Sequence, residues 1–89
     1  MTPAELLAAL TALAEELGLR VRPAQPDVEA GPLASGVCRV RGEILVVLVA
    51  SDSEGERIAV LARALRAHAG SALDERWLPP AVRARIDAA

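Results

Sequence analysis

The sequence predicts an α+β domain, a two-layer sandwich in the order α-β-β-β-α-α, and three observations carry that expectation. Two stretches repeat Leu or Ile at three- and four-residue spacing behind a hydroxyl cap, one short segment alternates apolar and charged residues, and two aliphatic runs flank a turn at hairpin spacing. Amphipathic helices and a small sheet each present one apolar side, and packing one on the other buries both. With 89 residues the chain can build one such core and not two, so residues 1–89 are read as a single domain.

The first helix opens at Thr2, Pro3 and Glu5: a hydroxyl cap, a proline at the first helical position and a glutamate three residues after the cap. Leu6, Leu10, Leu13 and Leu17 then form one stripe, and Gly18 supplies the left-handed stop. Leu19-Arg20-Val21-Arg22 alternates as a half-buried strand does, and Pro23 is expected to end it. Residues 23–36 hold Pro23, Pro26, Gly31, Pro32 and Gly36, which predicts a long connection, either a crossover to the far edge of the sheet or a binding loop.

Val37 to Arg41 and Ile44 to Val49 read as an antiparallel hairpin with Arg41-Gly42 or Gly42-Glu43 at its tip. Either register puts Cys38, Val40, Leu45, Val47 and Val49 on one face and Val37, Arg39, Arg41, Ile44, Val46 and Leu48 on the other. The first set, free of charge, is expected to be the core face. Ser53 and Glu56 repeat the cap spacing before a second helix carrying Ile58, Leu61 and Leu65, with Gly70 expected to end it. Leu78-Pro79-Pro80 opens a short terminal helix in which Val82 and Ile86 continue the stripe. That stripe, or a second copy of the protein, is expected to shelter Ile44, Val46 and Leu48.

Composition narrows function. Hydrophobic residues make up 53% of the chain, which excludes disorder, but nineteen are alanine and Trp77 is the sole aromatic, so the core must be aliphatic. All ten basic residues are arginine, a usage expected of a GC-rich bacterial genome, and the net charge of −2 argues against a nucleic-acid or membrane binder. One cysteine permits no internal disulfide, no export signal or membrane span is apparent, and a cytoplasmic location is expected. The acids Asp52, Glu54 and Glu56 read as helix-start charge, not a calcium loop.

Helix, strand, the Gly36-Val37-Cys38-Arg39-Val40-Arg41-Gly42 hairpin, an aliphatic strand and a helix reading Leu61-Ala62-Arg63-Ala64-Leu65-Arg66-Ala67 together resemble, in topology over residues 4–69, the core of the ImmA/IrrE-like zinc peptidases. The His-Glu-x-x-His of that family falls on Arg63, Ala64 and Ala67. Guanidinium and methyl groups neither hold zinc nor take a proton from its water, so the resemblance implies a scaffold without the chemistry. No metal, cofactor or catalytic site is expected.

His68 reads as a helix-end histidine, Cys38 as a buried inert thiol, and Trp77 as an anchor for the terminal segment. Arg20, Arg22, Arg39 and Arg41 are expected to line the outer sheet face beside Val46 and Leu48 as an interaction surface. The function expected is a non-catalytic protein-interaction or regulatory module, with a protein partner or self-association as a homodimer. The residues also allow two rival readings: a small enzyme using Cys38 and His68, and an anion or nucleic-acid binder acting through the four arginines.

Overall fold

A computed structural model describes residues 1–25 and 34–89 of the chain. The elements are α1 (Pro3–Glu16), β1 (Arg20–Ala24), β2 (Gly36–Val40), β3 (Glu43–Val49), α2 (Glu54–Asp74) and α3 (Pro80–Asp87), an α+β fold in the expected order. None of the described helices is long and apolar enough to cross a membrane.

Local chemistry accounts for the helix ends. Thr2 Oγ1 accepts the Glu5 N–H at 3.1 Å while the Glu5 carboxylate accepts the Thr2 N–H at 3.1 Å, a closed capping box. At the other end Gly18 adopts φ +91°. Leu19 N–H reaches back to Ala14 C=O at 2.9 Å and Gly18 N–H to Glu15 C=O at 3.1 Å, the paired closure of a Schellman motif. Ser53 caps α2 by accepting the Glu56 N–H at 3.1 Å.

Gly70 does not end α2. The chain leaves helical geometry one residue earlier, at Ala69 with φ −137° and ψ 19°, and then runs helical to Asp74. Continuation is favoured because it carries Leu73, 2% exposed, into the core. The Arg83 guanidinium also satisfies carbonyls at this helix end, donating to Leu73 O at 3.0 Å and Arg76 O at 2.9 Å. Leu78, Val82 and Ile86 are all buried in the same cluster as α1 and α2.

The sheet is mixed, in the order β1-β3-β2, with β1 parallel and β2 antiparallel to the central β3. Pro23 lies inside β1 and does not terminate it, because β1 is an edge strand where a missing donor costs no ladder bond. The connection from β1 to β2 joins opposite edges of the sheet. Most of the expected 23–36 loop, residues 26–33, lies outside the described residues. The hairpin tip is Arg41-Gly42, with Val40 opposite Glu43 and φ of 52° and 80°, the signature of a type I′ turn.

The division of β3 into two faces is as expected, but the covered face is the other one. Val46 is fully buried, and Ile44 and Leu48 pack against the same cluster under α1 and α2. The terminal stripe of Leu78, Val82 and Ile86 therefore joins the core from the helical layer and does not shelter a second sheet face. Cys38, Leu45 and Val47 fall on the side away from the helices, and Cys38 is exposed. Val49, at the end of that same side, is fully buried.

The cause is the register of β1. Val21 pairs with Val46, so Arg20 and Arg22 stand beside Leu45 and Val47. Burying two guanidinium groups under helices would cost several kcal/mol each without partners. Arg39 can sit opposite Ile44 on the helical side because β2 is an edge from which its head reaches water.

Candidate interaction face

Both faces of β3 are apolar, and the described helices all lie on one of them, so among the described residues the other is open from Leu45 to Val47. At its centre run Leu45 and Val47, both half-buried. The β2 side adds Cys38 and Val40, the latter 46% exposed, and the β1 side adds Arg20 and Arg22. Arg20 forms an ion pair with Glu43 at 3.0 Å, both side chains more than half exposed, which orders the rim but contributes at most about 1 kcal/mol.

The six positions expected to form one surface do not share a face. Arg20 and Arg22 lie on the open side, Arg39 lies at the helical side of the β2 edge, and Arg41 is in the turn. Val46 and Leu48 belong to the core cluster and leave the candidate surface. Leu45 and Val47 take their place; the alternation of Arg20-Val21-Arg22 was the signal that could have found them, once read in parallel register with β3. The four arginines do not converge on one point, so no shared anion pocket forms among them.

The Cys38 and His68 pair is not assembled. Cys38 is on the open side of the sheet, whereas His68 is an exposed residue of α2 on the opposite layer. His68 is the last residue before the break in helical geometry at Ala69. Arg63 and Ala67 share an exposed side of α2 and Ala64 is buried, and no group of three or more His, Cys, Asp or Glu among the described residues is placed to hold a metal ion.

Trp77 does not anchor the terminal segment. It is 80% exposed, and the neighbouring Leu78, 7% exposed, does the anchoring. At the foot of β2, Ser35 N–H donates to Asp52 Oδ2 at 2.8 Å, and Val49 N–H donates to Ser35 Oγ at 2.9 Å. Hydrogen bonds from the Ser35 side chain, and then from its backbone, hold the Asp52 carboxyl below the usual range.

The chain matches no family model, no curated protein and no solved structure.

Proposed function

We propose that this chain is a non-catalytic protein-interaction module whose working surface is the open face of its sheet. The observation that carries the reading is the placement of Leu45 and Val47, with Cys38 and Val40, on the side of a three-stranded sheet that no described helix covers. Aliphatic centre and arginine rim are the composition of a protein-binding patch: the apolar side chains release water on docking, and Arg20 and Arg22 offer forked donors to carboxylates at the margin. A protein is favoured over nucleic acid because the face carries no aromatic ring on which a base could stack, and the chain's net charge is −2. An exposed free thiol on this face supports a reducing compartment such as the cytoplasm as the place of action.

Affinity capture quantified by mass spectrometry tests the reading, with the captured protein then purified and titrated against the chain. Leu45→Asp combined with Val47→Asp is expected to abolish binding, while Ala81→Asp, on the exposed side of α3, leaves it unchanged. Retention of the same partner at the same affinity by the sheet variant contradicts the proposal.

A further inference from the structure

We propose that two copies of this chain join along the β2 edge that no described strand pairs, antiparallel and centred on Cys38, to form one continuous sheet; this rests on the module reading and names a second copy as one of its partners. β2 is an edge strand, and four of its five residues are exposed, with Val37 at 41% and Val40 at 46%. It carries no proline and a single charge, Arg39, whereas the opposite edge, β1, contains Pro23 and two arginines.

The hairpin determines which backbone groups are free. Residues flanking a two-residue type I′ turn form a hydrogen-bonded pair, so Val40 with Glu43, Cys38 with Leu45 and Gly36 with Val47 turn inward. Val37 and Arg39 turn their N–H and C=O groups outward. An antiparallel second copy can bond to them in three ways. Arg39 opposite Arg39 sets like charges face to face and places Val37 opposite Arg41, whose φ of 52° is not a strand conformation. Val37 opposite Val37 places Arg39 opposite Ser35, whose N–H is already given to Asp52 at 2.8 Å. Val37 opposite Arg39 uses every outward group, pairs all five residues of β2 and lays the arginine stem over valine.

Charge favours the same arrangement. The Ser35 end of β2 is tied to Asp52 and lies next to the start of α2, where Glu54 and Glu56 are exposed. The other end carries exposed Arg39 and Arg41. Antiparallel pairing runs the basic end of each copy along the acidic end of the other, twice by symmetry.

Native mass spectrometry and light scattering test this with two charge-reversed chains, Arg39→Glu/Arg41→Glu and Glu54→Arg/Glu56→Arg. Wild type is expected to dimerise below about 1 mM, each reversed chain alone to associate at least about tenfold more weakly, and an equimolar mixture of the two to recover dimer, because only the mixed pair restores both contacts. If a reversed chain does not fold by circular dichroism, Arg39→Pro removes one outward N–H that bonds nothing among the described residues and is expected to abolish the dimer.

Cys38 reports the register. In this pairing the two thiols stand opposite each other at a non-hydrogen-bonded position, with Cα atoms about 4.5 Å apart, inside the span of a disulfide. Diamide is expected to cross-link the wild-type dimer, its N=N bond taking the two electrons and two protons that the thiols lose. A wild-type chain that stays monomeric, a dimer indifferent to the reversals and to Arg39→Pro, or a dimer that does not cross-link overturns the proposal. Because Leu45 and Val47 are not on the edge, loss of self-association with capture intact overturns the dimer alone, and loss of capture with the dimer intact overturns the face.

Discussion

Val21 of β1 stands directly opposite Val46 of β3, and that pairing decides which side of the molecule is core. β3 is apolar on both faces and could have been covered on either. A parallel β1 with arginine at both neighbours of Val21 leaves one choice: the valines go under the helices, and Arg20 and Arg22 keep Leu45 and Val47 in the open.

Cys38 follows from this placement. At a dilution where native mass spectrometry shows monomer, the thiol is expected to react with dithiobis(nitrobenzoate) in the native protein at a rate close to that of the unfolded chain. Protection that is lifted only by denaturant would return Cys38 to the core and reverse the sheet.

Trp77 gives an independent optical check. At 80% exposure its emission is expected at the long-wavelength position of a hydrated indole, open to acrylamide quenching and almost unmoved by unfolding. A blue-shifted emission that moves on denaturation would mean that Trp77 is packed.

Asp52 gives a pH dependence. Its carboxyl is held below the ordinary range by Ser35, so its contribution to stability is present above pH ~4 and is lost as pH falls through the lowered value. Asp52→Asn is expected to be less stable than wild type at neutral pH, the gap closing in acid. Glu5, lowered by its bonds to Thr2, adds a loss of the same sign that is common to both proteins and cancels in the comparison. A gap that is constant from neutral pH to below pH ~3 would show that Asp52 does not anchor β2.

Arg83 closes the end of α2 with two bonds from one guanidinium nitrogen. Arg83→Ala is expected to cost about 2 kcal/mol in urea unfolding, because the carbonyls of Leu73 and Arg76 lose charge-assisted donors in a half-buried setting. A loss under about 0.5 kcal/mol would indicate that water replaces the arginine without penalty.

Much of this architecture is legible in the residues. Thr2, Gly18, Ser53 and Pro80 mark helix ends through local chemistry that needs no tertiary information, and the Arg41-Gly42 turn is among the two tips that the hairpin allows. What local chemistry could not supply was the neighbour of β3. Choosing the charge-free set of Cys38, Val40 and Leu45 as core is sound for an isolated hairpin, and it fails because β1 brings its own arginines to that side. The exposure of Cys38 and the burial of Val46 both descend from that single step. Gly70 misleads for a different reason: a glycine is a helix stop where the chain beyond has nothing to bury, and here Leu73 does.

Paired isosteric substitutions at adjacent positions of β3 measure most directly whether it has one covered and one open face. Val→Thr preserves shape and strand propensity and adds a hydroxyl, which costs about 1–3 kcal/mol when buried without a partner and little when hydrated. Urea unfolding of Val46→Thr is expected to show a loss in that range, and Val47→Thr a loss under about 0.5 kcal/mol. Equal losses, or the larger loss at Val47, would contradict the open face and the function proposed for it.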